Sequence, residues 1–435
     1  MYKQLSLQVY KFGGASVKDA AAITNLVSIV QEHAAQHQLL IVVSAMGKTT
    51  NALEEIFQLA FTGLDYQPRL EALRRFHYEV AEALFADEPH AECAADTRLD
   101  EQFAQLTQQL DYLQSQRLPA DSYDQHYDQI ISYGELLATC IVARKLGAQW
   151  LDCRPLLRTD HTWREGRIDW PTTERNVRDQ VPAMLQHGPV VTQGFLGGTP
   201  NGLTTTLGRE GSDYTAAIFA YCLQAQAVTI WKDVAGLLNA DPKFFADTVR
   251  YPEISYQQTI EMAYYGASVI HPKTIKPLAV RLIPLFVKSF LDPTAQGTRI
   301  GDCRHELLAP AFIRKDRQCL ISFESKDLTF ISEENLEVIF GALAQTRLKI
   351  NMMQNSAISF SVCTDFSAYR LEKLLSLLRD QFTIHYNTEL ELYTIKNYDK
   401  ASIRRLTHGR ELLLEQRTRQ TFQFVSRGTE IKELL

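Results

Sequence analysis

The chain has 435 residues, a formal net charge of −6, 45% hydrophobic residues and 22% charged residues. These are the values of an ordinary globular protein of two or three domains, and they exclude a surface dominated by basic charge, so no nucleic-acid partner is expected. No run of about 18 apolar residues suits a membrane span, and Met1 to Lys11 lacks a basic region followed by an apolar run; a cytoplasmic protein with no membrane partner is expected.

Seven cysteines stand at 93, 140, 153, 222, 303, 319 and 363, with no C-x-x-C pair. That pattern fits reduced thiols and predicts no metal held by cysteine. The mildly basic tail around Arg404, Arg405, Arg410, Arg417 and Arg419 is interleaved with Glu411, Glu415, Glu430 and Glu433, the texture of a solvated face.

Leu7 to Phe12 reads as a strand ending in Gly13-Gly14, and Lys18 to His37 as an amphipathic helix. Leu39 to Val43 is a short apolar run of the kind found in buried parallel strands, followed by Ser44-Ala45-Met46-Gly47 and a helix from Asn51. The opening is therefore α/β with a mainly parallel sheet, whose ligands sit at the C-terminal strand ends. Helices are expected over 69–85, 96–116 and 122–146, the last carrying Glu135 among apolar neighbours, where an acidic residue is either paired or functional. A strand at 149–152, a helix at 173–186 and a strand at 188–193 follow, with a loop over 194–198.

Thr204 to Ala217 is the organising stretch. It places Arg209, Ser212 and Asp213 within five positions and enters an alanine-rich helix, Tyr214 to Leu223. A glycine-containing loop that opens a helix presents free N–H groups and the positive end of the helix dipole to an anion, although Ser212 or Asp213 would also cap any plain helix. Beyond it come a strand over 225–231 with Lys232-Asp233 at its end, a turn-rich loop with Asp241 and Lys243, a helix over 255–265, His271-Pro272-Lys273, and a strand over 283–287. After residues 300–310 the order of elements is βαββαβ, that of a ferredoxin-like α+β module, followed by an abbreviated second copy.

No Walker spacing and no H-R-D or D-F-G signature is present. Lys11-Phe12-Gly13-Gly14 with Ser16-Val17, Ser44-Ala45 with Thr50-Asn51-Ala52-Leu53, Tyr133-Gly134-Glu135, Gly208 to Ala216, and Trp231 to Gly236 with Asp241-Pro242 and His271-Pro272 occur in this order. Together they resemble the aspartate kinases of the amino-acid kinase superfamily. The resemblance spans about residues 8 to 300, and the C-terminal part looks like the ACT modules that follow the kinase in that family. It implies a three-layer amino-acid kinase fold over 1–305, an ACT-like module over 306–389 and a shortened one over 390–435.

The activity implied is transfer of the γ-phosphoryl of ATP to the β-carboxylate of L-aspartate, the opening step of lysine, threonine and methionine biosynthesis, with ATP and Mg2+ as cofactors. The acceptor carboxylate is already ionised at neutral pH, so charge neutralisation and positioning matter more than a base. Lys11 and Asp213 are the catalytic candidates. Ser44, Thr50, Glu135, Arg209 and Ser212 are expected to hold aspartate, with Glu135 on its ammonium and Arg209 forked on a carboxylate. Gly13, Gly14, Lys232, Asp233, Asp241 and Lys243 are expected around ATP. No protein metal site is implied.

Four positions depart from the family pattern: Ala15, Glu210, Leu238 and Ser268. The ACT region implies an amino-acid effector, lysine or threonine, and at least a homodimer. Segments 327–335 and 349–356 match the effector region. Asn351 and Ala357 stand where some lysine-sensing members carry acidic groups, which argues against an ammonium ligand. The rival expectations are a relative with another acceptor and a catalytically silent amino-acid sensor. A fused homoserine dehydrogenase is not expected, because no G-x-G-x-x-G follows the second module.

Overall fold

The structure is a computed structural model that describes residues 5–86, 94–116, 119–267, 270–303, 309–326 and 329–427. The chain forms two compact units. The first is built from residues up to Leu237, Arg250–Ile260 and Ile270–Arg304; the second from Leu238–Val249, Glu261–Val269 and His305 onward.

The elements in order are β1 (Ser6–Phe12), α1 (Ala20–Ala34), β2 (His37–Val43), α2 (Thr49–Phe61), α3 (Gln67–Phe85), α4 (Ala94–Ser115), α5 (Tyr123–Ile131), α6 (Tyr133–Leu146), β3 (Gln149–Leu151), α7 (Trp170–Leu185) and β4 (Val190–Gln193). A short hairpin of β5 (Leu196–Gly198) and β6 (Thr204–Thr206) leads to α8 (Gly211–Leu223) and β7 (Ala227–Lys232). Then come β8 (Glu253–Ser255), α9 (Tyr256–Tyr265), α10 (Pro272–Arg281), β9 (Leu285–Ser289) and β10 (Thr298–Gly301).

The first unit is organised on an eight-stranded sheet of order β3-β4-β2-β1-β7-β9-β10-β8. The pairings from β3 to β9 are all parallel, and β10 runs antiparallel to β9. Leu40, Ile41, Val42 and Val43 are fully buried, as an apolar run in a sheet covered on both faces must be. Helices cover the sheet in two sets, α1 with α3 and α6, and α7 with α8 and α10. Register brings the strand ends together: Phe12 pairs with Val43 and with Trp231, and Val43 with Gln193. The loops leaving β1, β2, β4 and β7 therefore open at one edge, where open α/β sheets place their ligands.

Local differences from the sequence expectation have physical causes. The helix expected over 122–146 is divided into α5 and α6 at Ser132, which keeps a right-handed helical backbone, φ −56° and ψ −25°, and whose hydroxyl donates to the Gln129 carbonyl at 2.7 Å. The loop expected over 194–198 contains strand β5, because Leu196–Gly198 finds a partner in the threonine run of β6. Helix α10 was not expected; Pro272 starts it, and the His271 ring accepts from the Lys273 N–H at 3.2 Å.

The second unit contains β11 (Ala311–Ser325), α11 (Glu333–Gln345), β12 (Ile350–Asn355), β13 (Ser359–Asp365), α12 (Ala368–Leu378), β14 (Phe382–Lys396), α13 (Lys400–Thr407), β15 (Leu412–Arg417) and β16 (Thr421–Arg427). They form one antiparallel sheet of order β12-β13-β11-β14-β16-β15. The chain divides at 389/390 in the sequence expectation, yet β14 continues through that point, so both ferredoxin-like halves share β11 and β14. Ile321, Phe323, Ile339, Leu343, Val362 and Leu374 form one core, and Phe312, Tyr393, Ile395, Phe422 and Phe424 another. The second core also takes Ala240 and Phe245, which explains why Leu238–Val249 groups with this unit; Asn239 is held there by the Pro310 carbonyl at 2.9 Å.

Candidate active site

A cavity of about 650 Å³ lies at the strand-end edge of the first unit. Its floor is ionic. Lys11, at the end of β1 and 8% exposed, places its ammonium 2.6 Å from Asp213 Oδ1. Lys232, at the end of β7, reaches Asp213 Oδ2 at 3.6 Å. Burial pushes the Asp213 carboxyl up, but the charges of Lys11 and Lys232 outweigh it and hold the group below the usual carboxylate range. Asp213 lies in the first turn of α8, where the helix dipole adds to that preference for negative charge.

Glu135 occupies the first turn of α6 and is 4% exposed. Its Oε1 accepts from the Ala45 N–H at 3.2 Å, while Oε2 is buried with no hydrogen-bond partner. Burial pushes the carboxyl up to about 8, with the Ala45 N–H and Lys11 opposing. An orphaned carboxylate oxygen on a cavity wall is set to receive a donor from a ligand. Two glycines allow this convergence. A Cβ on Gly14 would come 2.9 Å from the Ala45 carbonyl, and one on Gly134 would come 2.9 Å from the Ala45 Cβ.

Of the sequence-predicted residues, Lys11, Gly14, Ser44, Thr50, Glu135, Arg209, Ser212, Asp213 and Lys232 all line this cavity. Gly13 sits beside the Lys11 ammonium, 3.4 Å from where its Cβ would be. Asp233 is exposed after β7 and does not line the cavity. Asp241 and Lys243 are exposed in the second unit, where the Lys243 N–H donates to Asp241 Oδ1 at 2.9 Å. Leu238 lies in that same segment, and Ser268 lies outside the described residues.

Glu210 also lines the cavity, with its carboxylate engaged by a backbone donor. It adopts a left-handed backbone, φ +52°, and its carboxylate accepts from the His271 N–H at 2.7 Å. Lys273 serves the same loop by donating to the Leu207 carbonyl at 2.9 Å.

Sequence reasoning missed several wall residues, among them Glu54, Tyr127, Arg164, Phe195 and Thr206. It also missed Asp128, which is 0% exposed behind the wall. Burial pushes the Asp128 carboxyl up to about 6, against the N–H groups of Arg164 and Thr206 that donate to it. The available signal was an acidic residue on the apolar face of α5, between Tyr127 and Ile130, the same signal that marked Glu135. Among the described residues no group of three or more His, Cys, Asp or Glu side chains is arranged to hold a metal ion, and no helix is long and apolar enough to cross a membrane.

The family model described as the amino acid kinase family matches residues 6–289. The chain is 32% identical over 363 residues to the lysine-sensitive aspartokinase 3 of Escherichia coli K12, covering 82% of this chain and 78% of that protein. It is 30% identical to the chloroplastic bifunctional aspartokinase/homoserine dehydrogenase of Daucus carota over 82% of this chain, but spans only 39% of that longer protein. The structure is similar to E. coli aspartokinase III in complex with aspartate and ADP, with a TM-score of 0.79 at 27% identity over 97% of this chain and 96% of that one. The likeness to the same enzyme in complex with lysine and aspartate has a TM-score of 0.77 at 27% identity, over 96% of this chain and 95% of that one.

Proposed function

The chain belongs to the amino acid kinase family and is an aspartate kinase, an ATP-dependent phosphotransferase, and from that premise we propose how its cavity performs the transfer. The observation that carries the assignment of roles is that the Lys11–Asp213–Lys232 ion triad and a buried, half-satisfied Glu135 line one cavity. Aspartate docks with its ammonium on Glu135 Oε2, which otherwise has no partner. Arg209 forks onto the non-reacting α-carboxylate, and Ser44, Thr50 and Ser212 supply hydroxyl contacts.

The β-carboxylate attacks the γ-phosphorus of ATP as an ionised nucleophile, the bond to the β,γ-bridging oxygen breaks, and ADP leaves. Lys11 neutralises the transferring phosphoryl oxygens, and Asp213 fixes the Lys11 ammonium in the line of transfer. Lys232 sits on the nucleotide side of Asp213, and the N–H groups of Gly13 and Gly14 with the first turn of α8 face the phosphates. Asp233, exposed after β7, is assigned to the outer part of the nucleotide path. Magnesium would arrive as the nucleotide complex, held mainly by phosphate oxygens and water, since Asp213 is already shared between two ammonium groups; it would supply charge neutralisation at the phosphates.

For the second unit we propose amino-acid regulation in a homodimer or larger homo-oligomer. The effector lies between lysine and threonine. Asn351 supports a ligand other than one held by a carboxylate at that position: its amide donates to Gln318 Oε1 and Asp365 Oδ1, each at 2.9 Å, and its oxygen accepts from Lys315 at 2.8 Å. Edge strand β12, with Met353 48% exposed, supports pairing between copies. The test is aspartate-dependent ADP release with Mg2+, run without effector, with lysine, with threonine and with both. Turnover abolished by Lys11→Ala supports the roles; turnover retained in Lys11→Ala rejects them.

A further inference from the structure

Arg164 is held at the cavity in a way that a surface arginine does not require. Its backbone is left-handed, φ +65°, a conformation that disfavours any residue with a Cβ. The Arg164 N–H donates to Asp128 Oδ2 at 2.9 Å. The same buried carboxylate accepts from the Thr206 N–H at 2.9 Å and from the Thr206 hydroxyl at 2.8 Å, which compensates its removal from water. Two residues on, the Gly166 N–H donates to the Thr206 carbonyl at 2.9 Å. The Arg164 carbonyl and Glu165 Cγ both press on Gly208, each 3.0 Å from where a Cβ would stand. The loop bearing Arg164 is thus locked to β6 and to the turn that carries Arg209.

The side chain is shelved as firmly as the backbone. The Arg164 guanidinium lies 4.0 Å above the Tyr127 ring, whose hydroxyl donates to Glu54. Asp124 pairs with it at 3.4 Å, but these two side chains are 47% and 53% exposed. An exposed pair of that kind is weak and readily exchanged for a better-placed anion. Arg164, Thr206 and Arg209 all line the cavity that contains Glu135 and Lys11.

We infer that Arg164 is a second carboxylate-binding residue of the acceptor site, clamping the non-reacting carboxylate of aspartate together with Arg209, and that Asp128 is the positioning residue that sets the spacing of the two arginines. This rests on the assignment of aspartate as acceptor. Asp128 acts through the two loops it ties and touches no substrate. Because the contact is made equally in the ground state and the transition state, it governs aspartate affinity and leaves the chemical step alone.

The experiment is steady-state kinetics at saturating Mg·ATP for the wild type, Arg164→Gly, Arg164→Lys, Asp128→Asn and the Arg164→Gly/Asp128→Asn double variant. Glycine suits the left-handed backbone, so Arg164→Gly removes the guanidinium without lowering thermal stability. Expected is a rise of about 10-fold or more in KM for aspartate with kcat within about threefold and KM for ATP unmoved. Arg164→Lys recovers part of the loss, and the double variant shows less than the product of the two single effects. A wild-type enzyme active on aspartate whose KM is unchanged in Arg164→Gly, or whose change is confined to ATP, overturns the inference and leaves the kinase assignment standing. No aspartate-dependent turnover by the wild type overturns both.

Discussion

Glu135 keeps a buried carboxyl whose folded pKa, about 8, lies far above its ordinary value of 4.5. With the folded pKa raised, the native state holds a proton that the unfolded state loses, so stability associated with this group is full below about 4.5 and declines as pH rises toward about 8. Glu135→Gln, which removes the titration and keeps the shape, is therefore expected to match the wild type near pH 5 and to exceed it near pH 8 by on the order of a few kcal/mol. Urea denaturation at the two pH values checks this; a difference that does not grow with pH refutes it. The same variant is expected to lose aspartate binding. In the wild type, docking of an ammonium against Glu135 draws out its proton, so calorimetry near pH 7 in buffers of different ionisation enthalpy should report proton release on binding aspartate. Lys11 makes a complementary case. Lys11→Ala leaves the Asp213 carboxylate buried, 2% exposed, with Lys232 at 3.6 Å as its remaining ammonium neighbour. Breaking a buried pair from one side destabilises by about 3–5 kcal/mol. Lys11→Ala should thus show both abolished turnover and a lowered melting temperature, whereas Lys232→Ala, on the more exposed arm, should lower melting less.

At the scale of elements, α8 and α10 are joined through one residue that departs from the family pattern. Glu210 starts α8 with φ +52° and receives the His271 N–H that precedes α10. Two effects oppose each other: the left-handed backbone costs about 1–2 kcal/mol in a residue with a Cβ, and the charged hydrogen bond contributes about 1.5–3 kcal/mol. Glu210→Ala loses the bond and keeps the backbone penalty; Glu210→Gly loses both. The glycine variant should be more stable than the alanine variant by about 1 kcal/mol, and both should be at or below the wild type, as read from denaturation midpoints. Equal midpoints for Ala and Gly would remove the backbone argument. These elements also show what a sequence can disclose. Lys11, Glu135 and Asp213 were legible because each stands at a strand end or helix start inside a contiguous motif. Asp128 and Arg164 were not, since their meaning lies in contacts 36 and 78 positions apart along the chain. Hairpin β5–β6 was hidden for a similar reason: a Gly-rich segment reads as loop until the threonine strand that pairs with it is known.

For the whole molecule, the partition of the chain runs against its linear order. A fragment ending near residue 304 would contain Leu238–Val249 but none of Phe312, Tyr393, Ile395, Leu406, Phe422 and Phe424, the residues among which Ala240 and Phe245 are buried. Phe245 is 8% exposed in the full chain and stacks on Phe312 with ring centroids 5.6 Å apart. The Asn239 carbonyl would also lose the Phe312 N–H, at 2.7 Å, and its side chain the Pro310 carbonyl. Exposing a phenylalanine and leaving those polar groups to water costs about 1.5–3 kcal/mol for the ring alone. The eight-stranded sheet has its strands within the first unit's segments, so the fragment should retain helical and sheet circular dichroism. It should nevertheless bind a hydrophobic dye and melt below the full chain. The contrary outcome, a fragment that melts with the full chain and binds no dye, would mean that Leu238–Val249 finds equivalent cover within the first unit. A compensating design separates the two effects: Phe245→Ser in the fragment should reduce dye binding, whereas in the full chain the same change should destabilise by about 3–5 kcal/mol as a truncated core aromatic.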